Sequence, residues 1–330
     1  MTGISYDVTA IGNAIVDIIG RCDDAFLAKH GAPKGHMRLV DAGTISSLYD
    51  AMGPGIEISG GSAANTMSGI ASLGGRAAFI GKVADDAFGN IFRHDIKAAG
   101  VAFNTPPVSG KAPTSSSLIL VTPDGERTMN TYLGISTELD DGEVDPTLIA
   151  QSAIIYLEGY LFDRPEAKRA FFQATALAKK AGRRVALTLS DGFCVDRHRT
   201  EFLELIRSGV DIVFANESEI TSLYETANFD HAAAHIAADT KLAVLTRSAQ
   251  GSLILSEGAA HIIPVDPIAE LVDTTGAGDL YAAGFLFGLT NGRDLPNSGR
   301  LGSMAAAEII SHLGARPAQS LAELARCRGL

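Results

Sequence analysis

The chain has 330 residues, 46% hydrophobic and 20% charged, which is typical of a globular protein with a large core and a smaller appendage. Its formal net charge of −11 excludes a broad surface for nucleic acid or anionic membrane, because both would be repelled at long range. Three widely spaced cysteines, Cys22, Cys194 and Cys327, are typical of a reducing compartment, and we expect a cytoplasmic protein.

Short apolar runs alternate with amphipathic stretches along most of the chain. In chain order, the predicted strands are YDVTAIG, RAAFIGKV, SAIIYLEGY, RRVALTLS, DIVFAN, LAVLTR and GSLILS. Helical patterns between them include SAANTMSGIASLG, PEAKRAFFQATALAKKAG and DRHRTEFLELIRSG. This alternation predicts an α/β fold in which helices cover both faces of a mostly parallel sheet. Ligands of such sheets bind at the C-terminal ends of the strands.

Two segments depart from this rhythm. Residues 33–41 and 101–134 are rich in Thr, Ser, Val and Pro, and SSSLILVTPDGERTMNTYL predicts a hairpin that turns at Pro123-Asp124-Gly125. We interpret these segments as part of a small β-sheet lid that could exclude water from a site. The predicted domains are a core of residues 1–12, 42–100 and 135–330 and a lid of residues 13–41 and 101–134.

The first apolar segment, VTAIGNAIVDIIG, is interrupted by Asn13 and Asp17 and has no basic residues before it, so we expect neither a signal peptide nor a membrane span. Buried polar groups need partners. These two side chains are therefore either satisfied inside the protein or bind the hydroxyl groups of a ligand. The carboxylate of Asp17 would suit two vicinal hydroxyls of a ribose.

A glycine-rich turn, ISGGSAANTMSGIASLG, follows in the sequence. Gly60 and Gly61 would allow a close approach of the backbone to a ligand. Asn65 would lie one turn into the next helix, where its amide could both donate to and accept from a polyol. The structural alternative is an ordinary strand-to-helix turn with Ser62 as the cap.

Two further turns follow apolar strands. In FANESEI, Asn216 and Glu219 would share a face of an opening helical turn, which suits the indirect holding of hydrated Mg²⁺ near phosphates. A helix capping box is the structural alternative. In VLTRSAQGSLIL, the loop with Thr246 and Gly251 could contact a nucleotide phosphate.

The stretch DTTGAGD places Asp279 directly after Gly276, Ala277 and Gly278, just before the apolar pattern LYAAGFLFGL. Exposed N–H groups at a helix start attract anions, and the carboxylate beside them could face a reacting hydroxyl. A first-turn position would by itself lower the pKa of Asp279, but in phosphoryl transfer positioning outweighs basicity. A helix N-cap after a glycine turn is the alternative interpretation.

Several common motifs do not occur. The chain has no G-x-x-x-x-G-K-[ST] phosphate loop, no G-x-S-x-G elbow and no H-E-x-x-H metal pattern. Tyr281 stands where a dinucleotide fingerprint needs Gly or Ala, which argues against a dehydrogenase.

Together these residues resemble the PfkB family of carbohydrate and nucleoside kinases, which includes ribokinase and adenosine kinase, over essentially the whole chain. D-T-T-G-A-G-D-L-Y-A-A-G-F at residues 273–285 is similar to the C-terminal signature of the family, and G-G-S-A-A-N at residues 60–65 to its N-terminal signature. N-x-x-E at Asn216 and Glu219 resembles its magnesium-and-phosphate motif. All three occur in the family's order.

The resemblance implies a three-layer α/β/α ribokinase-like core with a small β-sheet lid, and a kinase that uses ATP and Mg²⁺. It implies that Asp279 is the catalytic base and that residues 276–278 form the anion hole. The implied substrate contacts are Asn13, Asp17, Gly60, Gly61, Ser62 and Asn65, the implied ATP or phosphate contacts are Asn216, Thr246, Gly251 and Arg127 of the lid, and Glu219 would bind Mg²⁺ through water. A monovalent cation such as K⁺ near Asp273 and Thr275 is implied by some relatives only, and the family includes both monomers and homodimers.

Details within the resemblance point to a nucleoside as the acceptor. The spacing G-N-x-x-x-D at residues 12–17 and Ser62 in place of a lysine look like adenosine kinase, and LTLSDGF places Phe193 where it could stack on a base. Glu158 stands where ribokinases carry an acid, and Ser248 where a glycine is common. We therefore expect phosphorylation of the 5′-hydroxyl of adenosine or a related nucleoside. The alternatives are a sugar kinase of the ribokinase type and a non-catalytic binding protein that has lost turnover.

Overall fold

Two β-sheets organise the chain, and its first apolar segment supplies a strand to each. The computed structural model describes residues 3–330. Within that range, nine strands form one sheet and five form the other. In chain order the strands are β1 (Tyr6–Ile11), β2 (Ile15–Arg21), β3 (Met37–Leu39), β4 (Gly55–Gly60), β5 (Ala77–Ile80), β6 (Val101–Ala102), β7 (Ser115–Val121), β8 (Arg127–Tyr132), β9 (Ser152–Glu158), β10 (Arg184–Thr188), β11 (Ile212–Asn216), β12 (Leu242–Thr246), β13 (Ser252–Ser256) and β14 (Ala259–Ile263).

The nine-stranded sheet is parallel over most of its width. Its strand order is β14-β13-β12-β11-β10-β9-β1-β5-β6, and the pairs β12–β13 and β13–β14 are antiparallel. Its central strands are apolar on both faces because both faces are covered. In β9, Ile154 and Tyr156 point into one hydrophobic core, and Ile155 and Leu157 point into the other.

Helices cover both faces of this sheet. Helices α3, α4, α10, α11 and α12 pack on one face, and α5 to α9 pack on the other, so the predicted three-layer α/β/α core is confirmed. No helix within residues 3–330 is long and apolar enough to cross a membrane. The helices are α1 (Asp24–Lys29), α2 (Ala42–Ala51), α3 (Ser62–Ser72), α4 (Ala87–Ala98), α5 (Pro146–Ala150), α6 (Pro165–Lys180), α7 (Gly192–Gly209), α8 (Glu217–Leu223), α9 (Phe229–Asp239), α10 (Ala277–Thr290), α11 (Leu295–Ile309) and α12 (Leu321–Cys327), with 3₁₀ turns at Gly134–Glu138, Asp141–Glu143, Gly159–Asp163 and Ser248–Gln250.

The five-stranded sheet is the predicted lid. Its order is β3-β8-β7-β2-β4, and β7 and β8 form the expected antiparallel hairpin. Hydrogen bonds between Thr122 and Glu126 and from Gly125 to Thr122 close the turn between them. The chain passes from one sheet to the other between Ile11 and Ile15. The polar interruption at Asn13 therefore lies at this crossing and not inside a single strand.

The predicted lid boundaries differ from the structure at two strands. Strand β4, within residues 42–100 of the predicted core, pairs with β2 in the lid sheet. Strand β6, within residues 101–134 of the predicted lid, pairs with β5 in the large sheet. Both are edge strands, and nothing in the local pattern of an edge strand specifies which sheet it joins.

Candidate active site

A cleft of about 1220 Å³ lies between the lid sheet and the C-terminal ends of the central strands. That volume exceeds the usual range for one drug-sized ligand, so the cleft has room for two small molecules side by side. Gly60 and Arg127 are the predicted site residues that do not line it. The structure brings the other predicted residues together around it: Asn13, Asp17, Gly61, Ser62, Asn65, Glu158, Phe193, Asn216, Glu219, Thr246, Gly251, Gly276, Ala277, Gly278 and Asp279.

Asp279 lies in the first turn of helix α10 and faces the cleft. Its carboxylate accepts hydrogen bonds from the Ser62 hydroxyl at 2.6 Å and from the Asn65 amide at 3.1 Å. Burial raises the pKa of Asp279, while these two hydrogen bonds and the positive charge of Arg316 lower it. The first-turn position was expected by itself to lower the pKa of this carboxyl, but desolvation is the largest effect and the net shift is upward. The raised pKa makes Asp279 a better proton acceptor.

Asn65, beside Asp279, has a hydrogen-bond acceptor that is unused among the described residues, its side-chain Oδ1. Its amide nitrogen donates to Asp279, but its buried Oδ1 has no hydrogen-bond partner within residues 3–330. The side chain is only 5% exposed, and an unpaired buried acceptor is costly. A hydroxyl group of a bound ligand could supply the missing donor.

Ser62 is the first residue of α3 and not its cap, since the N-cap is Gly61 without a side-chain bond.

The turn before α10 is open toward the cleft. Gly276 is the helix N-cap in the left-handed conformation, at φ 80°. A side chain at Gly278 would meet no atom within 4 Å, so there is free space above the first turn. The N–H of Ala277 is used by the Thr274 carbonyl at 3.2 Å, which leaves the neighbouring first-turn N–H groups for an anion.

Glu158 and Asn13 are satisfied largely within the protein. Glu158 is 1% exposed and accepts hydrogen bonds from the Asn13 side chain at 2.7 Å and from the Ala63 N–H at 2.8 Å. Burial raises the pKa of Glu158 to about 7 despite these bonds. The Asn13 Oδ1 accepts from the Ser136 hydroxyl at 2.8 Å. Glu158 thus joins the crossing between the sheets to the start of α3, which is a structural role that the sequence interpretation did not assign to it.

Asp17 differs from Glu158. Within residues 3–330, no side chain or backbone N–H donates a hydrogen bond to its carboxyl group to offset the cost of its burial. Burial raises the pKa of Asp17 to about 7, and the charges of Arg316 and Arg127 lower it. The carboxyl group lies against Gly60, since a Cβ atom there would be 2.2 Å from Asp17 Oδ2. Gly60 therefore makes room for the Asp17 carboxyl and does not face the cleft itself.

Asp17→Asn is expected to make the unliganded protein more stable at pH 8, by on the order of 1 kcal/mol, which is less than the pKa shift alone would give because the carboxyl faces the solvent-filled cleft. The folded-state pKa of Asp17 is raised from 3.8 to about 7, so the wild type loses stability relative to the variant as pH rises through that window. Below about pH 3 the group is largely protonated in both states, and the two proteins should unfold alike. Urea unfolding at both pH values measures the difference. Equal stability of the two proteins at pH 8 would mean that the charged Asp17 carboxylate costs no folding free energy, which would contradict its raised pKa.

Asn216 and Glu219 form a capping box at the start of helix α8. The Asn216 side chain accepts from the Glu219 N–H, and Glu219 accepts from the Asn216 N–H at 3.0 Å and from its amide at 2.6 Å. Burial raises the pKa of Glu219 to about 7. Its carboxylate retains lone pairs for a water, which fits indirect contact with Mg²⁺. Within residues 3–330 no group of three or more His, Cys, Asp or Glu side chains could hold a metal directly.

Arg127 forms an ion pair with Asp273 instead of facing the cleft. The two side chains are 9% and 4% exposed, and Arg127 also donates to the Thr275 hydroxyl at 3.0 Å. This contact ties lid strand β8 to the segment that leads into α10. The carboxylate near which K⁺ was predicted is therefore already paired with a cation, and the K⁺ site stays a prediction.

Phe193 is 78% exposed at the start of α7 and lines the cleft. A large apolar ring that is this exposed is available to stack on a flat ligand. Thr246 ends strand β12, and Gly251 caps the following 3₁₀ turn at φ 81°. Both line the cleft, and their contact with a nucleotide phosphate stays a prediction.

Sequence reasoning missed Arg316 entirely. It lies in the loop between α11 and α12, with its guanidinium bonded to Ser59 and to the start of α3. No motif surrounds it, and no local pattern signals that it contacts Ser59 and Ala64, on either side of the turn at Gly61.

The fold and this cleft are typical of an α/β protein that binds small molecules at the C-terminal ends of its strands. A profile described as pfkB family carbohydrate kinase matches residues 57–321, so the chain belongs to the pfkB family of carbohydrate kinases, as the sequence resemblance indicated. The chain is 55% identical to adenosine kinase from Sinorhizobium meliloti, with a TM-score of 0.91 over 98% of this chain and 99% of that one. It is 50% identical to a probable sugar kinase from Rhizobium etli CFN 42, with a TM-score of 0.92 over 99% of each chain. The probable fructokinase-6 of Arabidopsis thaliana is 31% identical over 78% of this chain and 69% of its own length.

Proposed function

We propose that this kinase transfers the phosphoryl group of ATP to the 5′-hydroxyl of adenosine or a closely related nucleoside. The observation that carries the proposal is the arrangement around Asp279. Its half-buried carboxylate, the unpaired Oδ1 of Asn65 and the open first turn of α10 all line the cleft.

The acceptor binds through hydroxyl groups. Asp17 has lone pairs that the protein does not use, and it would accept hydrogen bonds from the two vicinal hydroxyls of the ribose. Asn65 Oδ1 would accept a third. Because these acceptors are already in place in the unliganded protein, binding replaces a desolvation cost with hydrogen bonds.

Asp279 removes the proton from the attacking hydroxyl. Its two hydrogen bonds, from Ser62 and Asn65, fix the carboxylate, and its raised pKa brings its basicity closer to neutral pH. The proton leaves late, since the transition state of phosphoryl transfer is loose. Orientation of the hydroxyl by Asp279 therefore matters as much as proton transfer.

The turn at Gly276 to Gly278 stabilises charge on the moving group. Unpaired N–H groups of the first turn of α10 point at the cleft, where the helix dipole favours negative charge. Bound Mg²⁺ would neutralise the ATP phosphates, and Asn216, Thr246 and Gly251 are placed to contact the nucleotide while Glu219 would hold a metal-bound water. Closure of the lid would exclude water, a competing acceptor.

A nucleoside is favoured over a free sugar by two observations. Phe193 offers an exposed ring in the cleft that a free sugar would not use. The adenosine kinase from Sinorhizobium meliloti is similar over 98% of this chain.

A sugar kinase is the second candidate. It is favoured by the likeness to the probable sugar kinase of Rhizobium etli CFN 42 and to a probable fructokinase. In the sequence, Glu158 suggested a sugar kinase. In the structure its carboxylate is hydrogen-bonded to Asn13 and Ala63, so it gives weaker support to a sugar kinase than the sequence did. A non-catalytic binding protein has no observation in its favour beyond the cleft itself.

The proposal is tested by measuring ADP release across adenosine, inosine, guanosine, ribose and fructose. We expect the highest kcat/KM with adenosine or another purine nucleoside. A higher value with ribose or fructose would establish the sugar kinase instead. If the protein turns over none of these acceptors but still binds adenosine by calorimetry, the result would favour the non-catalytic binding protein.

Phe193→Ala is expected to weaken nucleoside binding by about 1–3 kcal/mol, the usual value of stacking a base on an aromatic ring. Binding of free ribose, which has no base, should hardly change. Calorimetric Kd values for adenosine and ribose measure the difference. Ile262→Ala is a matched control, because Ile262 is also 78% exposed but does not line the cleft. Equal losses for adenosine and ribose would count against base stacking.

A further inference from the structure

Arg316 joins two elements that meet at the cleft. Its Nε donates to the Ser59 carbonyl at 2.9 Å, and its Nη2 donates to the same carbonyl and to the Ser59 hydroxyl. Its Nη1 donates to the Ala64 carbonyl at 2.7 Å and to the Ser68 hydroxyl. Ser59 lies in β4 of the lid sheet, and Ala64 and Ser68 lie in α3 of the core. All three guanidinium nitrogens are therefore used to hold a strand end and a helix start together.

The glycine turn lies between these two anchor points. Gly60 and Gly61 follow Ser59 directly, and the turn places Ser62 and Asn65 as the donors to Asp279. Asp95 of helix α4 completes the anchor by accepting from the N–H and hydroxyl of Ser59. A shift of the turn would therefore move both donors that fix the Asp279 carboxylate.

The same guanidinium lies near three half-buried carboxyl groups. Burial lowers the pKa of Arg316 to about 10, which leaves it charged at neutral pH, and the charges of Asp95, Asp17 and Asp279 favour that charged form. Arg316 in turn lowers the pKa of both Asp17 and Asp279. Its planar fork suits several fixed acceptors at once, which a lysine ammonium cannot reproduce.

We propose that Arg316 is a positioning residue for phosphoryl transfer, which holds the turn at Gly60 and Gly61 so that Ser62 and Asn65 orient Asp279. The inference rests on the proposed function. Arg316 does not line the cleft, so it acts through these residues and not on the substrate.

The test compares Arg316→Ala, Arg316→Lys and Arg300→Ala with the wild type. Arg300 is an exposed arginine on helix α11 and serves as the matched control. Each protein is assayed for kcat, for the KM of acceptor and ATP, and for thermal stability, with rates expressed per folded enzyme. The Arg316→Ala assay is repeated with millimolar guanidinium, well below denaturing concentrations.

We expect Arg316→Ala to lower kcat by at least about tenfold, since small misplacements of catalytic groups are costly. The KM for ATP should stay unchanged, because the turn that Arg316 holds carries Ser62 and Asn65, which lie on the proposed acceptor side of the cleft. Arg316→Lys should recover part of the rate, since it keeps the charge without the fork, and guanidinium should recover part of the rate of Arg316→Ala. The Arg300→Ala control should match the wild type.

A purely structural role predicts a different result. Arg316→Ala would then melt at a lower temperature but keep the wild-type kcat per folded enzyme, without rescue by guanidinium, and the inference would be overturned. A wild type without turnover on any acceptor would instead refute the proposed function. Amide hydrogen exchange of residues 59–68 in Arg316→Ala supplies a readout independent of activity, and unchanged exchange there would also overturn the positioning role.

Discussion

Asp279→Asn is expected to lower kcat by roughly 10²–10⁴-fold, the usual contribution of a positioned acid or base. The amide has the shape of the carboxyl group but cannot accept the proton of the attacking hydroxyl. Ser62 and Asn65 would still surround the side chain, so binding of the acceptor should change little. Steady-state kinetics with the best acceptor of the panel give kcat and KM separately.

The matched control for this variant is Asp230→Asn. Asp230 also lies in the first turn of a helix, α9, but is exposed to solvent. It should retain full activity, which separates the loss of the cleft carboxylate from the loss of any first-turn charge. Near-normal turnover in Asp279→Asn would contradict the role of Asp279 as the catalytic base, on which the proposed function rests.

Gly61→Ala is expected to lower kcat/KM by on the order of 10²-fold, since displacements of about 1 Å near a reacting group have effects of that size. Gly61 has φ 97°, and a Cβ atom there would lie 2.3 Å from the Asn13 carbonyl oxygen. Either the turn or the crossing at Asn13 must move, and the turn carries Ser62 and Asn65. Kinetics and thermal unfolding of the same preparation measure both consequences.

Gly74→Ala provides the control for backbone strain. Gly74 follows the other end of helix α3 at φ 90°, and a Cβ atom there would meet nothing within 4 Å. Both variants should lose about 1–3 kcal/mol of stability from the unfavourable backbone conformation alone. Only Gly61→Ala should lose most of its activity. Similar activities in the two variants would mean that the close approach to Asn13 has no role in the site.

Much of the site could be predicted because its residues lie in short contiguous motifs. Gly276 to Asp279 form a glycine turn at a helix start, and the backbone of such a turn has the same chemistry wherever it folds. Asn65 and Ser62 were placed by their spacing from Gly61 within one helix. The positions of these residues at the cleft follow from strands that end at the same edge of a parallel sheet.

Other roles could not be predicted because they depend on partners far away in the sequence. Glu158 has the residue type of a ligand contact, but its partners Asn13 and Ala63 are 145 and 95 residues away. Arg127 was expected near phosphates and instead pairs with Asp273. Arg316 gave no signal at all.

The sequence alone determined the α/β class, seven of the nine strands of the large sheet, the lid hairpin and the family, since apolar periodicity and local turn chemistry act over a few residues. Only the tertiary structure decided that β4 belongs to the lid, that Asp279 has a raised pKa and that Arg316 anchors the glycine turn. The physical reason is that desolvation and pairing of charges depend on which distant groups share a buried space. That arrangement exists only once the two sheets have closed around the cleft.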